Sequence, residues 1–115
     1  MEIRIEQHGE ITVAAVEGSI DAMTSGALGE AFDEQISAGR VKLVADLREV
    51  SYTSSAGLRV LLGATKDSRS KGGDLRLSGV QPNVMKVLDL SGFTSILKIL
   101  DNLEDAISSY SGSSS

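Results

Sequence analysis

Residues 41 to 47, Val-Lys-Leu-Val-Ala-Asp-Leu, form a short and almost unbroken apolar run. Shortly afterwards the apolar positions switch to helical spacing, through Leu58, Leu61, Leu62 and Thr65. A short run without polar alternation predicts a strand buried on both faces. A strand followed by a helix needs another strand to return to, and that crossover is the building unit of a parallel sheet.

The rest of the chain repeats the pattern. Residues 2 to 7 alternate, with Ile3 and Ile5 on one side, and residues 11 to 17 are β-rich and more continuously apolar. His8-Gly9 lies between them, so the pair reads as a hairpin. Gly18 to Ser25 reads as a loop. A helix fits residues 25 to 38, with Leu28, Phe32 and Ile36 on one stripe, Ala27 and Ala31 beside it, and Gly39 as its stop. Its Glu30, Asp33 and Glu34 face water. Gly26 and Gly29 point to close packing or to the approach of a partner. After the strand at 41 to 47, a second helix spans roughly 55 to 71 and ends at Gly72-Gly73. Its outer side carries Arg59, Lys66, Asp67, Arg69 and Lys71.

Residues 74 to 78 alternate as a further strand. Pro82 suits the first turn of a third helix, where its missing N–H costs nothing. That helix has Val84, Val87 and Leu88 inside and stops near Gly92. Residues 96 to 100 read as a short strand. Asp101 or Asn102 then caps a last helix with Leu103, Ala106 and Ile107 inside. The order β-β-α-β-α-β-α-β-α predicts an α/β domain: a mixed, mostly parallel sheet of about five strands with four helices packed against it.

Composition narrows the function. A chain of 115 residues that is 41% hydrophobic can bury a core, and 3% aromatic content with no Trp makes that core aliphatic. A net charge of −5 argues against a nucleic-acid partner. With no Cys there is no disulfide, thiolate metal site or cysteine nucleophile. Met1 to Glu6 alternates unlike a signal peptide, and no apolar run is long enough to span a bilayer. A cytoplasmic protein with no membrane partner is expected. The single His8 stands in a turn, remote from any serine nucleophile, and no Gly-x-Ser-x-Gly, P-loop or dinucleotide fingerprint is present. Neither enzymatic activity, a metal site nor a cofactor is expected.

The segment Tyr52-Thr53-Ser54-Ser55-Ala56-Gly57-Leu58 carries the functional signal. Its two serines fall where a loop enters a helix, where backbone N–H groups lack partners and the helix dipole favours negative charge. A serine there is a capping residue, a phosphate carrier, or both. Asp21 is open in the same way, as a turn stabiliser or as a residue that handles the phosphoacceptor. Gly57 adds no side chain and would let a partner approach the backbone.

Residues 2 to about 109 resemble the STAS family, and within it the single-domain bacterial anti-sigma factor antagonists. Gly18-Ser19-Ile20-Asp21-Ala22 resembles the family's Gly-x-Leu/Ile-Asp loop. Asp46-Leu47-Arg48-Glu49-Val50-Ser51-Tyr52 resembles its strand end. Ser54-Ser55-Ala56-Gly57-Leu58 resembles its phosphorylation motif, and Leu90-Ser91-Gly92-Phe93 its Leu-x-Gly stretch. The resemblance implies a STAS domain over residues 1–110, and the low-complexity run at 111–115 reads as a disordered Ser/Gly tail. The resemblance also implies a function. The unphosphorylated protein binds an anti-sigma factor that is a serine kinase and releases its sigma factor or another target. Phosphorylation ends the binding, and a serine phosphatase restores it. Carried over by motif, Ser55 is the phosphoacceptor. Ser54 stands where the family commonly has Asp and is the second choice. Partner contact is expected at Asp21, Ser54, Ser55, Ala56, Gly57 and Arg59, and a monomer is expected. Two other classes stay open: an accessory subunit of a lipid-transporting ABC complex, and a small-ligand or nucleotide sensor.

Overall fold

The computed structural model describes residues 1–111, so the expected tail beyond Ser111 lies outside the described residues. Its elements are β1 (Glu2–His8), β2 (Ile11–Ile20), α1 (Ser25–Ser37), β3 (Lys42–Thr53), α2 (Ser55–Ser70), β4 (Asp74–Ser78), α3 (Pro82–Leu90), a 3-10 turn at Phe93–Ser95, β5 (Lys98–Leu100) and α4 (Leu103–Ser108). The sheet has five strands in the order β1-β2-β3-β4-β5. β1 and β2 are antiparallel, and the other neighbours are parallel. The mixed sheet with four helices agrees with the expectation.

The strands are laid down in sequence order, always to the same side. Right-handed crossovers therefore put α1, α2 and α3 on one face of the sheet. That face holds the main core, where Leu28, Phe32 and Ile36 of α1, Leu58 and Leu61 of α2, and Val84 and Leu88 of α3 meet Leu43, Ala45 and Leu47 of β3. Among the described residues no strand follows α4, and it folds back under the opposite face. There Ala106 packs with Val13 and Val44, flanked by Ile11, Leu103, Ile107 and Tyr110. β3 is covered on both sides, which is why its first half lacks alternation.

Three strand boundaries differ from the expectation. Gly18 to Ile20 continue β2 instead of starting a loop, and β3 runs on from Leu47 to Thr53. The pairing of β2 with β3 jumps twice, from Ala15↔Asp46 to Glu17↔Glu49 and from Gly18↔Val50 to Ser19↔Tyr52. At each jump β3 carries one more residue than β2, a bulge that breaks the two-residue period. The buried residues Leu47, Val50 and Thr53 therefore recur every third position, a spacing that no regular strand shows. The third difference is β5, which starts at Lys98; Ile96 and Leu97 instead follow the 3-10 turn, with Leu97 N–H bonded to Phe93 C=O at 2.8 Å.

Gly57 sits in the first turn of α2, where the helix presses on the ends of β2 and β3. A Cβ there would lie 2.6 Å from Ile20 Cγ2 and overlap Thr53 Oγ1. Only glycine lets the helix start seat this closely.

At the other end of the sheet, Asp74 joins several elements. Its carboxylate accepts from Arg69 Nε of α2 at 2.8 Å, Arg76 Nε at 3.1 Å and Leu75 N–H at 2.9 Å. Arg69, expected to face water, also donates to Ile96 C=O at 2.9 Å. The Arg76 guanidinium lies 3.9 Å from the centroid of the Tyr110 ring and donates to Ser109 Oγ at 2.7 Å. The Tyr110 hydroxyl shares its proton between Leu43 C=O at 2.6 Å and Asp74 C=O at 2.8 Å. Burial, as the largest cause, holds the phenol above its ordinary range.

Three outcomes are expected in thermal, denaturant and pH unfolding. Tyr110→Phe is expected to cost about 1 kcal/mol, since two partly buried carbonyls lose a donor. The raised phenol also means that stability is intact below about pH 10 and falls as the pH climbs above it, because the unfolded chain ionises first. Tyr110→Phe should flatten that alkaline slope. Gly57→Ala is expected to destabilise by about 1–3 kcal/mol through overpacking, read as a drop in denaturation midpoint.

Candidate functional site

The site forms where β2 ends, β3 ends and α2 begins. Ser54 N–H donates to Ile20 C=O at 2.7 Å, which joins the end of β2 to the start of α2. Ser54 is the N-cap, with extended backbone (φ −88°, ψ 173°), and its Oγ accepts from Gly57 N–H at 3.3 Å. Its carbonyl accepts from Leu58 N–H at 3.1 Å and from Thr53 Oγ1 at 3.3 Å. The N-cap is a position that Ser and Asp fill equally well. Ser54 therefore supplies the acceptor that the resemblance would have assigned to an aspartate.

Ser55 is the first residue of α2 and is exposed; its hydroxyl makes no hydrogen bond among the described residues. The N–H groups of Ser55 and Ala56 come too early for any carbonyl of the helix. They have no other protein partner among the described residues. The two serines, adjacent and alike in sequence, are thus in different states: one hydroxyl is committed to the cap and the other is free.

The second half of β3 is held by the N-cap and first turn of α3. Gln81 Nε2 donates to Arg48 C=O at 2.9 Å, and Asn83 Nδ2 donates to Ser51 C=O. Neither residue was singled out from the sequence. Their partners are backbone atoms on a strand far off in the chain, which leaves no local pattern to find.

Asp21 opens the turn between β2 and α1. Its Oδ1 accepts from Met23 N–H and Thr24 N–H, both at 2.9 Å, and from Thr24 Oγ1 at 3.1 Å. Its own N–H donates to Thr24 Oγ1 at 2.8 Å. The Thr24 backbone bond and the Thr24 hydroxyl, in that order, hold its carboxyl below the ordinary value; desolvation opposes them, and the Met23 N–H adds to the lowering. Asp21 thus builds the turn that follows Ile20, the residue that anchors Ser54. The sequence left its structural and functional roles open, and the geometry supplies the structural one.

Arg59 is exposed and makes no ion pair among the described residues. Ala56 is half-buried. Gly57 is buried against Ile20 and Thr53, where its lack of a side chain serves packing. Met23, 92% exposed, and Tyr52, 52% exposed, stand in the neighbouring turn and strand end. Both were missed, since nothing in a sequence marks a single apolar residue as outward-facing. Among the described residues no cluster of His, Asp and Glu could hold a metal ion, and no helix is long and apolar enough to cross a membrane.

Known proteins agree with this architecture. The STAS domain profile matches residues 2–106. The anti-sigma-B factor antagonist of Listeria monocytogenes is 37% identical over 97 residues, covering 84% of this chain and 82% of that protein. The anti-sigma F factor antagonist of Paenibacillus polymyxa is 32% identical over 108 residues, 93% of this chain and 92% of that one. Among solved structures, the Bacillus cell fate determinant SpoIIAA in its phosphorylated form superimposes with a TM-score of 0.76 at 20% identity, covering 95% of this chain and 99% of that one. With its sheet order, its capped α2 and this match along nearly its whole length, the chain belongs to the STAS domain family.

Proposed function

We propose that this protein is an anti-sigma factor antagonist that acts as a partner switch. Its bare form binds an anti-sigma factor that is also a serine kinase, and so frees the sigma factor or other target which that kinase holds. Phosphorylation of Ser55 ends the binding, and a serine phosphatase restores it. The observation that carries this reading is the free, exposed hydroxyl of Ser55 beside the committed hydroxyl of Ser54. Two relatives that share a third of their residues with the chain are themselves antagonists of anti-sigma factors.

The electrostatics account for both halves of the switch. A phosphoryl group adds about −1.5 to −2 charges and three strong acceptors. At the first position of α2 it meets the unpaired N–H groups of Ser55 and Ala56 and the positive end of the helix dipole, effects of about 0.3–1 kcal/mol each when exposed. The fold survives modification. The Bacillus neighbour, solved in a phosphorylated form, is a domain of this shape that does so. A docked partner has no such tolerance. Its surface would have to strip water from a dianion near the Asp21 turn, and an unpaired interfacial charge costs several kcal/mol. A loss of about 3 kcal/mol is already more than a hundredfold in affinity. No rearrangement of the sheet is required. Met23 and Tyr52 offer apolar contact around the gate, and Arg59 offers a cation to an acidic partner surface.

Mass spectrometry of the protein from its own cells is expected to place phosphate on Ser55. Calorimetry against the kinase-type partner should show Ser55→Ala binding as the bare protein does, and Ser55→Glu binding at least about a hundredfold more weakly. Ser54→Ala removes only the cap. It is expected to cost about 1 kcal/mol of stability and to lower the melting point by about 4–8 °C, with the phosphate still on Ser55. Phosphate confined to Ser54, or a Ser55→Glu protein that binds undiminished, would overturn the assignment.

A further inference from the structure

β1 is an edge strand, and among the described residues nothing lies beyond it. It has no proline, and its register with β2 is unbroken from Glu2↔Glu17 to His8↔Ile11. An edge of this kind is a template for another strand. The hairpin decides which of its groups are free. The loop is two residues, Gly9 and Glu10, with Gly9 at φ +65°. The pair closing a two-residue loop exchanges backbone hydrogen bonds, and the exchange then recurs at every second pair. His8, Glu6, Arg4 and Glu2 therefore turn their backbone groups toward β2. Ile3, Ile5 and Gln7 turn theirs toward the open edge. Ile5 stands at the centre of this edge, 41% exposed.

We propose that the occupant of this edge is a second copy of the chain, paired antiparallel about a two-fold axis through Ile5. In that register Ile5 meets Ile5 of the second copy, and Ile3 meets Gln7. The three residues with free backbone groups are thus matched to one another, and each exchanges its N–H and C=O with its counterpart. The side chains on the other face agree. Arg4 falls opposite Glu6 of the second copy, and Glu2 falls opposite His8. Neighbouring registers do not agree. A shift that keeps the hydrogen bonding must move by two residues. In one direction it sets Arg4 against Arg4 and Glu2 against Glu6; in the other it sets Glu6 against Glu6. Like charges directly opposite destabilise a pair of strands, so the strand specifies one self-complementary register. The contact is isologous and closed, as a two-fold dimer requires. It fuses two five-stranded sheets into one and leaves both copies of Ser55 accessible, because β3 stands two strands in from the edge. The dimer departs from the monomer expected from the sequence. It rests on the β1 edge alone and stands or falls independently of the phosphate switch.

Sedimentation velocity over a range extending to high protein concentration tests it. The wild-type chain is expected to show a concentration-dependent monomer–dimer equilibrium. Arg4→Glu places two acidic residues opposite each other, and Glu6→Arg places two basic ones. Each is expected to weaken dimerisation about tenfold or more while the circular dichroism spectrum stays native. The Arg4→Glu/Glu6→Arg double variant should dimerise again. The two single variants, mixed in equal amounts, should form a mixed dimer, since every charged couple is then opposite in sign. A wild-type chain that stays monomeric at every concentration leaves the edge to solvent or to another protein and overturns the proposal. A dimer indifferent to both reversals, or single variants that fail to associate on mixing, overturns it equally.

Discussion

The hydrogen bond from Ser54 N–H to Ile20 C=O is short, 2.7 Å, and it connects two parts of the chain that are distant in sequence. On one side of it lies the turn built by Asp21 and Thr24. On the other lies the cap of α2. Gly57 makes the contact possible, since any larger residue would force the helix away from Ile20 and Thr53. The exposed serine at the head of α2 owes its position to this junction. Its location depends on the sheet beneath it and not on the flexibility of a loop.

That arrangement separates two tasks that one serine could not perform together. A capping hydroxyl is held by a backbone N–H, and modifying it would disturb the helix it caps. A modifiable hydroxyl has to be free. With Ser54 occupied and Ser55 released, the domain keeps its cap through both states of the proposed switch. A polar cluster lies at the start of β4, where Asp74, Arg69 and Arg76 tie α2, β4 and the approach to β5 together. Charge added at the head of α2 is remote from that cluster.

Much of this fold was legible in the chain because its elements are locally consistent. The stripe Leu28, Phe32, Ile36, the Pro82 helix start and the strand at 74 to 78 each announce themselves by period or by a start signal. The site motif was legible too, since both serines fall where α2 begins, as expected. What escaped depends on contacts between distant segments. The second half of β3 was hidden by two bulges that break its period. Arg69 looks like any solvated helix charge until β4 brings Asp74 beside it. The packing role of Gly57 shows only once Ile20 and Thr53 are seen beneath it. The placement of α4 on the opposite face likewise rests on distant contacts, since Ala106 meets Val13 and Val44 there.

The bulges in β3 have a consequence for how such a chain can vary. Each lets the strand gain one residue over its neighbour, so the distance along β3 from Asp46 to Thr53 is set by residue number as well as by side-chain type. Losing a single residue between them would flip Thr53 from the interior to the solvent and rotate the whole helix start that follows it. Related chains should therefore tolerate exchanges of chemistry in this stretch far more readily than changes of length, so that the strand works as a ruler for where the serine stands.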